Sequence, residues 1–193
     1  MKKIIFFTSL FLIVAFSPIQ SKAATHTVEH GESLWQIANR YGISINQIIS
    51  ENQLSSSVIH PGQSLNIDAS ITRTEKELLA RLVHAEARGE SYPGKVAVAT
   101  VVLNRVDHPD FPNTIEGVIY QRSAGGFYAF TPVQNGAINR EANQEALQAV
   151  NEAIAFRGQG SGSLYFYNPR TATNDWIRSR EVTIIIGNHH FAK

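Results

Sequence analysis

The chain has 193 residues with 17 basic and 16 acidic side chains, a near balance that lacks the clustered positive charge of a nucleic-acid footprint. That length suits one ordinary domain, or a small module joined to a medium one. The lack of cysteine removes disulfide staples, thiol catalysis and thiolate metal ligands together, leaving stability to packing.

Residues 1–23 read as a secretory signal: Lys2 and Lys3, the apolar run Ile4 to Phe16, then a polar stretch ending in small residues. Cleavage is expected between Ala23 and Ala24. An uncleaved anchor is the rival reading, but the run is shorter than the ~20 residues that cross a bilayer. Without Lys2, Lys3 and Lys22 the balance becomes 14 basic against 16 acidic residues. The mature protein is expected to be exported, slightly acidic and without a membrane span.

A first module covers residues 24–68. THTVEH suits a strand, Gly31 breaks it, and Ser33 can cap a helix with Leu34, Ile37 and Ala38 on one side. Tyr41-Gly42 ends that helix, because glycine accepts the left-handed conformation of a C-terminal cap. Ser44 to Glu51 gives a second helix with Ile45, Ile48 and Ile49 as its apolar face, and Pro61-Gly62 turns the chain into the strand QSLNI. The predicted order is strand, helix, helix, strand, with both helices on one face of the strand pair.

The stretches HTVEHGESLWQIANRYG and PGQSLNI resemble a lysin motif (LysM) domain across this whole module. The resemblance implies binding of N-acetylglucosamine-containing glycans in a shallow groove between two loops. Carried over, those loops are Gly31, Glu32 and Ser33 on one side and Ile59, His60, Pro61 and Gly62 on the other. From the residues alone, the glycines and proline are equally well explained as turn formers.

DASITR is short and polar, giving a linker over 69–73, and the second module runs over 74–193. T-E-K-E (74–77) reads as a capping box opening a helix that runs to Gly89. On that helix Leu79, Leu82, Val83 and Glu86 share one stripe. Val96 to Val106 has strand-like β-branching, but its length favours a buried helix. TIEGVIYQ gives a short helix. Residues 122–139 read as a long loop carrying Phe127, Tyr128 and Phe130, and NQEALQAVNEAIAF as a helix with Ala146, Leu147, Val150 and Ile154 inward. LYFYN, EVTIII and HHFAK then read as strands, the last two joined by a Gly187-Asn188 hairpin turn. The fold class is α+β: helices followed by a small antiparallel sheet.

A carboxylate on an apolar stripe either finds a partner or has its pKa raised, and a partly protonated Glu is what a general acid needs. For Glu86 the pattern alone allows both a general acid and an internal ion pair or frayed helix end. Its place near a helix C-terminus pushes the pKa further up. His84, Glu86, His189 and His190 lack the spacing of a metalloprotease or deaminase zinc site, so no metal is expected. Gly160 to Ser163 lacks a nucleophile-elbow spacing. Tyr165, Tyr167, Asn168, Trp176 and Arg180 suit sugar faces, with alternation placing both tyrosines on one side of a strand and Trp176 in a surface loop.

ARLVHAEARGESYPGKVAVATVVLNRV, FPNTIEGVIYQ, FTPVQNG, LYFYNP and WIRSR together resemble the spore cortex-lytic type of cell wall hydrolase catalytic domain. The resemblance implies a lysozyme-like, mainly helical fold acting on peptidoglycan glycan strands, some members being lytic transglycosylases. It maps the catalytic acid onto Glu86 and adds Thr131 to the expected substrate contacts. No cofactor is implied. The binding module departs from the pattern: such enzymes commonly carry a different, helical one. The expected protein is secreted and wall-associated, cleaving between N-acetylmuramic acid and N-acetylglucosamine. The alternatives are a wall-binding factor that cleaves nothing and a metal-dependent amidase acting on the stem peptide.

Overall fold

The computed structural model describes residues 24–68, 71–123 and 125–193; the expected signal segment and its cleavage site lie outside or at the edge of these. The first module pairs β1 (Ala24–Thr27) antiparallel with β2 (Ser64–Ile67), in a register that sets Ala24 opposite Ile67 and Thr27 opposite Ser64. Between them lie α1 (Leu34–Tyr41) and α2 (Ile45–Glu51). Ser33 and Gln36 form a reciprocal capping box on α1, and Gly42 closes it at φ 68° with its N–H on Ala38 O at 2.8 Å. Leu34, Ile37, Ile43, Ile48, Leu65 and Ile67 fill the core between helices and strands.

In the second module, α3 spans Arg73–Glu86. Its capping box is Thr72 with Glu75, one turn fragment earlier than the T-E-K-E box read from sequence. The chain holds two overlapping T-x-x-E windows. Ile71, buried in the core just before Thr72, fixes where the chain enters and selects the first window. Glu77 instead pairs with Arg73 at 2.8 Å, four residues back. The helix also ends earlier than Gly89: Ala87 caps it, so Glu86 is its last residue.

Helices α4 (Tyr92–Asp107) and α5 (Ile115–Ile119) follow, the β-branched segment being helical as its length predicts. The expected long loop 122–139 is more ordered than its composition suggests. It contains an Arg122–Tyr128 bridge, the short helix α6 (Thr131–Gln134) and a 3-10 turn at Ala137–Asn139. Helix α7 (Gln144–Ala155) packs on α3, α4 and α1, burying Ala149, Ala153 and Ala155 as well as the predicted Ala146, Val150 and Ile154. Small side chains on several faces let three helices approach it at once. Leu147 is only partly buried.

The sheet has the order β3-β5-β4, from β3 (Tyr165–Tyr167), β4 (Val182–Ile186) and β5 (His189–Ala192). Gly187 at φ 58° and Asn188 make the expected turn between β4 and β5. Trp176 is in a short helix, α8 (Asp175–Arg178), rather than a loop, though it stays half exposed. Among the described residues no helix is long and apolar enough to cross a membrane.

Candidate active site

Leu79, Leu82 and Val83 are fully buried, and Glu86 continues their stripe to the end of α3, where it remains partly open to solvent. Burial pushes its carboxyl up from 4.5 to about 7, against a lowering hydrogen bond from the Thr131 backbone and the nearby Arg105 charge. The C-terminal end of α3, with its unpaired carbonyls, adds to the cost of a negative charge there. Among the described residues no ion pair engages Glu86.

Arg105 is the residue that sequence reasoning passed over. It lies on α4 in step with Val98, Val101 and Val102 and is 8% exposed. Its Nε donates to Leu164 O at 2.7 Å, and its guanidinium carbon sits 5.1 Å from the Phe111 and Phe130 ring centres and 5.5 Å from that of Tyr165. Three rings and one carbonyl hold the cation in place, and among the described residues no carboxylate forms an ion pair with it. Burial lowers its pKa to about 10, with Tyr165 and Glu86 opposing, so it keeps its charge at neutral pH. The rule that marks Glu86, a charge in line with apolar helix positions, marks Arg105 equally well.

Through Arg105 the candidate sugar contacts join the acid. Tyr165 leans toward the cation and meets Trp176 edge-on at 5.2 Å, and Arg180 lies over the Trp176 ring at 4.6 Å. The Trp176 indole is 50% exposed, leaving it available to an apolar ring face. Thr131 touches Glu86 through its backbone, at the start of α6. Tyr167 packs edge-on against His190 at 5.4 Å, farther along the same strand. Asn168 organises a turn: its Oδ1 accepts from the Arg170 N–H at 2.9 Å and its carbonyl accepts from Ala172 at 2.9 Å.

Glu90, the next carboxylate along the chain, is already engaged. Glu90 Oε1 accepts from Asn188 Nδ2 at 3.1 Å and its Oε2 from the Asn188 N–H at 3.3 Å, which ties the α3–α4 connection to the hairpin turn. His189, beside it, packs on Phe166 at 5.3 Å, and burial lowers its pKa. Among the described residues no three His, Asp or Glu side chains gather as metal ligands would.

In the first module, Gly31 and Gly62 both have φ 83° with open space where a side chain would stand. The Gly62 N–H donates to Val28 O at 2.8 Å, which brings the two loops side by side. Ser33 is spent on the α1 cap. Glu32 turns inward: His26 at 2.7 Å, Arg40 at 2.8 Å and the Glu29 N–H at 2.9 Å surround its carboxylate, and its side chain is 8% exposed. Ile59 packs against the module core, while Pro61 is exposed.

Comparison with known proteins assigns each module to a family. The family described as Cell Wall Hydrolase matches residues 89–192, and LysM domain matches residues 26–68. The spore cortex-lytic enzyme of Oceanobacillus iheyensis is 42% identical over 130 residues, covering 67% of this chain and 45% of the relative. That of Bacillus subtilis is 41% identical over 128 residues, covering 66% and 40%. The chain thus spans less than half the length of either. The solved catalytic domain of the germination-specific lytic transglycosylase SleB from Bacillus anthracis is 40% identical, with a TM-score of 0.59 over 66% of this chain and 100% of that one. The chain belongs to the cell wall hydrolase family, with a LysM domain ahead of the family region.

Proposed function

We propose that this protein cleaves the peptidoglycan glycan strand between N-acetylmuramic acid and N-acetylglucosamine, with Glu86 as its single acid and base. The observation that carries the reading is a partly open carboxyl at the end of α3 whose burial raises its pKa to about 7. Protonated, it donates to the bridging oxygen as the bond from that oxygen to the muramic anomeric carbon breaks. The carboxylate so formed is met by the Arg105 charge and the Thr131 N–H, both of which favour the ionised state. It then takes the proton of the muramic sugar's own primary hydroxyl as that oxygen bonds to the anomeric carbon. Glu86 ends protonated again, no water is consumed, and the product carries an anhydro end. Ordinary glycosidases need a second carboxylate, and the engagement of Glu90 by Asn188 supports the one-acid route.

Tyr165, Tyr167, Trp176 and Arg180 then supply the sugar-binding surface beside the acid. Asn168 shapes the turn that follows β3. The LysM module holds the wall through the two loops at Gly31 and at Pro61-Gly62, with Ser33 and Ile59 anchoring those loops to the module and Glu32 bracing the first from inside. The relatives' names, spore cortex-lytic enzyme and lytic transglycosylase, support peptidoglycan as substrate and an exported, wall-associated location. The test is digestion of purified wall followed by mass spectrometry of the fragments. Anhydro ends are expected; reducing ends one water heavier would replace transglycosylation by hydrolysis, and intact wall would remove the enzyme reading.

A further inference from the structure

The helix that ends in Glu86 begins at the LysM module. Lys76, in the first turn of α3, has its ammonium and Cε where a Cβ on Gly42 would stand, so the end of α1 meets the Lys76 side chain of α3 at close range. The same ammonium lies 3.5 Å from Asn151 Oδ1 on α7, and burial lowers its pKa. At the far end of α7, Ala155 is fully buried as a member of the LysM core. Beyond it, a Cβ on Gly158 would stand 3.7 Å from Asn46 Nδ2 of α2, so this turn runs close beside the LysM module. The Arg157–Asp107 pair at 2.6 and 3.0 Å holds this end of α7 onto α4. The two modules therefore share a hydrophobic core residue and are joined at three separate places along α1 and α2.

We propose that the LysM module is docked on the hydrolase module as one body, so that a glycan held by its loops is cut at a fixed, short offset. This rests on the reading of Glu86 as the acid and of the LysM loops as the glycan-binding site. Two helices set the offset. Lys76 to Glu86 is ten residues of α3, and Ser33 to Gly42 nine residues along α1, roughly 15 and 14 Å at the helical rise. Adding one interhelix spacing bounds the separation of the loops from Glu86 at roughly 40 Å. A module on a free tether would sample many orientations and register the cut loosely; a docked one selects strands long enough to reach both places and releases fragments of restricted length.

The test uses the full chain and two variants. Ala155→Asp puts a charge into the LysM core from α7, and Lys76→Glu disturbs the junction without entering that core. Calorimetry of the intact chain is expected to give one unfolding transition and each variant two. On purified glycan strands the intact chain should release a narrow range of fragment lengths, and the variants a range roughly twofold wider, while cleavage of short soluble oligosaccharides stays unchanged. If Ala155→Asp does not fold, Lys76→Glu decides. Two transitions for the intact chain, or identical fragment lengths from intact chain and separated variants, overturn the proposal. An intact chain that melts once yet cleaves nothing overturns the offset together with Glu86, while leaving the docking itself standing.

Discussion

Glu32 and Glu86 each sit at the boundary of a helix with an arginine nearby, one just before α1 and the other at the last position of α3. Their surroundings drive them in opposite directions. Glu32 accepts from the Glu29 N–H and from His26, with Arg40 in ion-pair contact, and these hold its carboxyl below the usual range. It also lies at the positive end of its helix. Glu86 is met by the Thr131 backbone donor and by the charge of Arg105, a cation packed among aromatic rings, and lies at the negative end of its helix, so desolvation wins and the carboxyl rises to about 7. An arginine in the neighbourhood does not make a carboxylate structural; the number of donors in contact does.

The largest expected effect is on turnover. Glu86→Gln keeps the shape and removes the transferable proton, so wall clearing should fall by roughly 10²- to 10⁴-fold while sedimentation with the wall is kept. Clearing at the native rate would make Glu86 another Glu32. The same variant should also gain stability. With a folded value of about 7 above the ordinary 4.5, native Glu86 contributes fully below pH 4.5, and that contribution is lost as the pH rises through 7. Glu86→Gln is therefore expected to exceed the native chain at pH 8 by on the order of 1–3 kcal/mol, and to match it at pH 4, read by chemical denaturation. A loss at pH 8 would mean that the carboxylate has stabilising partners.

Arg105→Met sharpens the contrast from the other side. Losing the charge should move the alkaline limb of the pH–rate profile upward, since Glu86 then stays protonated to higher pH. Stability should drop by about 1–3 kcal/mol because the Leu164 carbonyl loses its donor. An unmoved limb would show that Arg105 only packs. The mildest expected effect is at Glu32. Glu32→Gln should lower the melting temperature at pH 7, with the difference shrinking as the pH falls through the lowered native pKa and the native carboxylate is itself protonated. An equal deficit at every pH would assign the effect to packing instead of charge.

Much of this was legible in the chain because local rules and tertiary needs agree. The Ser33 cap, Gly42 and Gly187-Asn188 each specify one backbone geometry, and the structure has all three. The Thr72 cap was misread because two overlapping windows satisfy the same local pattern, and the choice depends on Ile71 reaching the core of another segment. Glu86 was visible as a charge among leucines. Arg105 went unnoticed because its partners, Phe111, Phe130, Tyr165 and the Leu164 carbonyl, are scattered along the chain and meet only after folding. The inward turn of Glu32 was hidden for the same reason: His26 and Arg40 reach it from β1 and α1.

The account stands most directly on the proton at Glu86. Carbon-13 labelling of the glutamate carboxyls, with Glu86→Gln to assign the resonance, allows its titration to be followed in the intact chain. A midpoint near 7 is predicted, and a midpoint at or below the ordinary value of 4.5 would contradict the assignment of Glu86 as the acid.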